Sequence, residues 1–245
     1  MQTYKSFTSS QHMSADSWKK KLIGKRTSPL SSKPTGYELP VCEIDKDLTR
    51  TFPKETWFLP HKNRIRNILL WHAWTNRAIS YAQPLSFIAF TLYYVFHQND
   101  PKTSMVATYY SLHRLVSVVS PLLPTGPYDG GPVKFIKNID CLVRINILNV
   151  DRVLNLSITP EIMNYVILNG MPTLFTNWFG LHKSVLVLDF IIDKNKEVMF
   201  SRLIKFTVAI FLTYRPLFVH LEWYDVVPLK RIFSAESIIA CARNL

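Results

Sequence analysis

Glycine is scarce in this chain, with only 7 among 245 residues. Multi-stranded sandwiches and barrels need glycine at their tight turns, so the shortage points to helices. Cysteine is scarcer still. Cys42, Cys141 and Cys241 are scattered, with no Cys-x-x-Cys spacing and no Cys/His cluster, which argues against a disulfide scaffold or a structural zinc site and for a reducing, cytoplasmic compartment. The histidines at 12, 61, 72, 97, 113, 182 and 220 form no His-x-x-x-His or His-x-x-Glu set, so metal-assisted hydrolysis and a bound metal are not expected. No Gly-x-Ser-x-Gly elbow is present for acyl transfer. No apolar stretch follows the N-terminal charges, so no secretory signal is expected.

Long apolar runs free of charge are also missing. A membrane-spanning helix needs roughly 18 consecutive apolar residues. Leu85 to Phe96 is too short, and Leu203 to Leu221 is interrupted by Lys205, Arg215, Pro216 and His220. That second run is expected to be a buried helix ending sharply at Pro216. Acids are few: Asp and Glu number 17 against 29 Lys and Arg, a formal net charge of +12. Much of the excess lies early, where Lys5, Lys19, Lys20, Lys21, Lys25, Arg26 and Lys33 face Asp16 alone. Residues 1–36 are therefore expected to form a basic, flexible N-terminal segment. It is either a solvated tail or a peripheral contact with an anionic intracellular membrane. Within it, Ala15 to Gly24 has Trp18, Leu22 and Ile23 among its lysines and predicts a short helix packed by one face. Lys62, Arg64 and Arg66 would suit phosphates, but no nucleic-acid motif accompanies them, so nucleic acid is not an expected partner.

What the chain does have is apolar mass: 48% hydrophobic and 13% aromatic residues, enough to bury a sizeable core. Ile65, Ile68, Leu69 and Ala73 recur at helical spacing, predicting an amphipathic helix from His61 that ends near Asn76. Pro84 to His97 leaves little polar face, with Phe87, Phe90, Leu92 and Tyr93 expected in the core. Further helices are predicted at Met105 to Val119 and at Pro160 to Leu168, the latter opened by Thr159-Pro160-Glu161. Pro121 to Pro132 reads as the longest internal loop. The whole reads as one all-α domain spanning 37–245.

Two short patterns carry chemistry. In Ile44-x-x-Asp47-x-x-Arg50 the three residues share one helical face, with an apolar anchor and an acid placed to hold the arginine, and Pro53 stops the helix. In Tyr81-Ala82-Gln83-Pro84 a ring could fix the presentation of a side-chain amide. A rigid arginine and glutamine on one surface suit charge neutralisation and water positioning in phosphoryl transfer. Each also has an ordinary reading: Asp47 and Arg50 as a surface ion pair of small consequence, Gln83 as a cap on the next helix.

In order, with the continuation Arg50-Thr51-Phe52-Pro53 and the lead-in Asn76-x-x-Ile79, the two patterns resemble the paired signatures of the TBC domain, the fold of the activating proteins for Rab-type GTPases. Fainter likeness extends through Met105 to Val119, Trp178-Phe179 and Val185 to Ile192. The resemblance implies a single multi-helix TBC-type domain and a Rab-family small GTPase as partner. It implies Arg50 and Gln83 as catalytic residues supplied in trans, with Ile44, Asp47 and Tyr81 in support. GTP and Mg²⁺ would belong to that partner, so no cofactor is expected. Gly24-Lys25 ends like a phosphate-binding loop, but Lys19 and Arg26 occupy positions that such a loop reserves for Gly and Ser/Thr. Ser80 replaces the signature's glycine, and Pro84-Leu85-Ser86 replaces its Gly-Met-Asn. These changes flank Gln83 and leave open a catalytically inactive, TBC-like adaptor that binds a small GTPase or another protein.

Overall fold

In the computed structural model, residues 15–24, 39–123, 131–219 and 232–245 are described, with backbone only for 131–136. The basic residues Lys5, Lys25, Arg26 and Lys33, and most of the loop read at 121–132, lie outside the described residues. All regular structure among the described residues is helical, as the composition predicts. None of their helices is long and apolar enough to cross a membrane. The chain divides into two compact units: Met1–Val118 with Ile192–Lys194, and Val119–Ile191 with Asn195–Leu245.

The first unit contains α1 (Val41–Arg50), α2 (Lys62–Thr75), α3 (Pro84–Asn99) and α4 (Ser104–Val119). The middle of this unit is α3, because its apolar residues run all the way round. Ile88, Phe90, Leu92, Tyr93 and Phe96 are buried together with Ser86 and Thr91. Phe90 meets the rings of Phe52 and Phe58 at 5.0 and 4.5 Å. Truncating such a ring to alanine typically costs about 3–5 kcal/mol. Phe87, expected in the core, is only half-buried, since its ring lies against the edge of Phe52 on the rim of this cluster. Both α1 and α3 pack on α2, whose C-terminus is closed by the Asn76 amide on the His72 carbonyl. Residues 15–24 are packed rather than loose. Trp18 is fully buried and meets Phe96 edge-on at 6.2 Å.

The second unit contains α5 (Gly131–Leu148), α6 (Arg152–Ser157), α7 (Pro160–Gly170), α8 (Leu181–Ile191), α9 (Lys196–Thr213), α10 (Arg215–Phe218) and α11 (Ala235–Arg243). As predicted, Thr159 caps α7 ahead of Pro160, its hydroxyl accepting from the Ile162 amide. The buried α9 packs against α5 and α11. It ends at Thr213, not at Pro216: the proline restricts the residue before it and sits in the first turn of α10, where its missing N–H costs nothing.

One buried group in α2 makes stability depend on acidity. His72 is fully buried, neither ring nitrogen has a hydrogen-bond partner, and burial together with nearby His113 lowers its pKa from 6.5 to about 3. The unfolded chain takes up this proton near pH 6.5 and the folded chain does not, so stability falls by about 1.4 kcal/mol per pH unit as pH drops below that point. Relative to His72→Leu, the wild type should lose about 2 kcal/mol of unfolding free energy between pH 7 and pH 5. Urea midpoints at both values check this, and parallel losses in the two proteins would rule it out.

Candidate functional site

The site starts from the face of α1. Ile44 is fully buried and anchors the helix, Asp47 follows one turn later, and Arg50 stands at the C-terminal end. Asp47 has a side chain only 6% exposed, whereas that of Arg50 is 60% exposed. The pair is therefore not the ordinary surface bridge that spacing alone allows. One carboxylate oxygen, Oδ1, accepts from Arg50 Nε at 2.8 Å and from Arg50 Nη2. The other, Oδ2, accepts from the Tyr81 hydroxyl at 2.7 Å. Burial, and then the bond to this carboxylate, push the Tyr81 pKa well above its ordinary value, so the phenol stays a donor at any physiological pH. A second link holds α1 to α2, where Arg66 donates to Asp45 through Nε and Nη2 at 2.7 and 3.2 Å. Arg64 meanwhile donates to the Tyr93 hydroxyl. Two of the three cations that could have faced a phosphate backbone are thus engaged within the protein.

Between α2 and α3 the chain turns on the Asn76 carbonyl, which accepts from the Ile79 and Ser80 amides at 3.2 and 2.6 Å. Ser80 lies in the left-handed region at φ 51°, the backbone state for which glycine is favoured and a side chain costs on the order of 1–2 kcal/mol. Its glycine-like geometry accounts for the residue type the signature prefers there. Tyr81 then points back to Asp47, Ala82 is buried, and Gln83 is exposed. The Gln83 side chain makes no capping hydrogen bond to α3, so the capping alternative does not hold. Pro84 occupies the first turn of α3, where no N–H is required.

Asp47 thus joins the Arg50 and Tyr81 side chains directly, while Gln83 follows Tyr81 by two residues on the same turn. Sequence reasoning missed the Asp45–Arg66 link and two buried hydroxyls, Thr51 and Ser86, whose residue types carry no signal until their neighbours are known. Among the described residues no group of acids, histidines and cysteines could hold a metal ion. A cavity of about 330 Å³ lies between Lys19, Ile23 and the Asp100–Ala107 region, and none of Asp47, Arg50, Tyr81 and Gln83 lines it. An exposed guanidinium and an exposed amide side by side on one surface suit contact with a macromolecular partner.

The chain belongs to the Rab-GTPase-TBC domain family, whose model matches residues 11–219. No curated protein sequence matches the chain. Among solved structures it is similar to the Ypt/Rab-GAP domain of Gyp1p, with a TM-score of 0.65 and 13% identity over 96% of this chain and 78% of that one. That likeness speaks for the fold.

The left-handed residue gives a direct test of this local account. Ser80→Gly should raise unfolding free energy by about 1 kcal/mol, and Ser80→Val should lower it by at least as much, because a β-branched side chain tolerates positive φ worst. Denaturation midpoints decide it. A destabilised glycine variant would mean that the turn is not strained at Ser80.

Proposed function

We propose that this protein is a GTPase-activating protein for a Rab-type small GTPase in membrane trafficking, supplying Arg50 and Gln83 in trans. Hydrolysis by such GTPases is slow because charge grows on the phosphate oxygens and the attacking water is poorly held. Arg50 presents a planar, permanently charged fork to that growing charge, and Gln83 orients the water by donating to and accepting from it. The observation that carries the reading is the buried Asp47 carboxylate, which holds the Arg50 guanidinium by two nitrogens and the Tyr81 hydroxyl by its other oxygen. Arg50 is then set before the partner arrives, together with the Tyr81 turn from which Gln83 leaves, which lowers the ordering cost in the reacting complex. By the scale of other arginine fingers, the contribution is ~10³–10⁵ in rate, or roughly 4–7 kcal/mol of barrier. GTP and Mg²⁺ come with the partner, and the protein needs no cofactor of its own.

A second reading, a TBC-like adaptor that binds a GTPase without activating it, draws on the strained Ser80 and on Pro84, which flank Gln83 and differ from the signature. Single-turnover GTP hydrolysis across a panel of Rab proteins separates the two. Arg50→Lys and Gln83→Ala should each remove about 100-fold or more of the acceleration while shifting the melting temperature by no more than a degree or two, since lysine keeps the charge but lacks the fork and alanine cannot bind water. Acceleration that survives both substitutions would end the two-finger mechanism. Rab binding without acceleration by the wild type would establish the adaptor.

The basic N-terminal segment is assigned a peripheral contact with anionic membrane. Replacing Lys5, Lys25, Arg26 and Lys33 by glutamine leaves the packed Trp18 segment untouched. Each cation near an anionic surface contributes about 1 kcal/mol, so the four together should weaken vesicle association by at least about 100-fold at low salt. Cosedimentation with phosphatidylserine vesicles measures this, and binding indifferent to both charge and salt would dismiss the contact.

A further inference from the structure

The structure assigns Thr51 and Ser86 a role as positioning residues for Gln83, an inference that rests on the glutamine's role proposed above. The carboxylate bridge through Asp47 fixes Arg50 and Tyr81, but it ends two residues short of Gln83. A second bridge runs beneath it through backbone and hydroxyls. Thr51 Oγ1 lies 2.7 Å from the Asp47 carbonyl and 2.8 Å from Ser86 Oγ, and Ser86 Oγ lies 2.9 Å from the Gln83 carbonyl. Thr51 is 1% exposed and Ser86 fully buried, so water has no access to replace either hydroxyl.

Each hydroxyl has one proton to give, which restricts how the chain of contacts can be filled. Given the Thr51–Ser86 bond, either Ser86 donates to Thr51 and Thr51 to the Asp47 carbonyl, or Thr51 donates to Ser86 and the Ser86 proton goes to the Gln83 carbonyl or to the neighbouring Tyr81 oxygen. In each case the Thr51–Ser86 bond ties the residue after α1 to the first turn of α3. The Ser86 amide donates to the same Gln83 carbonyl at 3.2 Å, so the backbone of Gln83 is held from two sides of one residue. The side chain of Gln83 has no capping bond of its own. The point from which it leaves the protein is set by its backbone, and this buried pair holds that backbone. Arg50 and Gln83 leave the protein from the two ends of the bridge, Arg50 directly before Thr51 and Gln83 three residues before Ser86. Loosening the pair changes the offset between the two fingers without touching either.

The test uses the full chain and single-turnover GTP hydrolysis by an accelerated Rab. Thr51→Val and Ser86→Ala should each lower the maximal rate by about tenfold or more, the scale of a small misplacement at a reacting centre, with the half-saturating concentration changed less than about twofold. Thr51→Ser restores the hydroxyl and should restore the rate. In combination with Gln83→Ala, Ser86→Ala should add no further loss, because both act through the same amide. Backbone amide exchange over residues 80–86 should quicken about threefold or more in Thr51→Val and Ser86→Ala, with the second unit unchanged. Full activity in both single variants, equal loss in Thr51→Ser and Thr51→Val, or a multiplicative loss with Gln83→Ala would overturn the inference. If Ser86→Ala does not fold, the comparison of Thr51→Val with Thr51→Ser decides. If the wild type accelerates no Rab, the proposed activity fails on its own account, and unchanged exchange over 80–86 remains the result that sinks the positioning role.

Discussion

A carboxylate taken out of water must recover its lost hydration from protein donors, or it becomes a liability of several kcal/mol. Asp47 is in that position, and the donors it recruits are Arg50 from its own helix and Tyr81 from the turn before α3. The consequence runs in both directions. The acid obliges α1 and the 76–83 turn to stay together, and the arginine that satisfies it keeps most of its fork in solvent. An arginine paired only with an exposed acid would wander through its rotamers, whereas one pinned by Nε and a terminal nitrogen to a buried anion offers its remaining donors in a fixed plane.

The same residues depend on the packing below them. The chain leaves α1 through Thr51 and the left-handed Phe52, whose ring seats on Phe90 in the middle of α3. The apolar sides of α3 therefore immobilise the segment that carries Arg50 and the N-terminus that follows Gln83 in one step. The Arg66–Asp45 pair adds a polar tie between α1 and α2. Catalysis by charge placement needs this kind of order beforehand, because any ordering left until the encounter is subtracted from the stabilisation of the transition state.

The departures from the family signature acquire different meanings in this setting. Pro84 lies where a helix's first turn has no need of an N–H, so it stiffens the entry to α3 without breaking it. Ser86 is fully buried and engaged by Thr51, which makes it a working part of the turn. Ser80 alone carries a cost, since it takes up a left-handed conformation that a glycine would adopt freely.

The sequence by itself determined the helical class, the place of α3 in the core, the capping of α7 by Thr159 and the order of the two signatures. Each of these is written in the spacing of apolar residues, in caps, or in short patterns read along one helix, where neighbours in space are also near neighbours in the chain. The tertiary structure decided the rest. It placed Asp47 in the interior, left Phe87 on the rim of the aromatic cluster, packed Trp18 against Phe96, and ended α9 ahead of Pro216. It also brought Thr51 to Ser86 across 35 positions. Burial and hydrogen-bond partnership are properties of segments far apart in sequence, and a serine or aspartate reads the same in a one-dimensional pattern whether water or another segment completes its bonds.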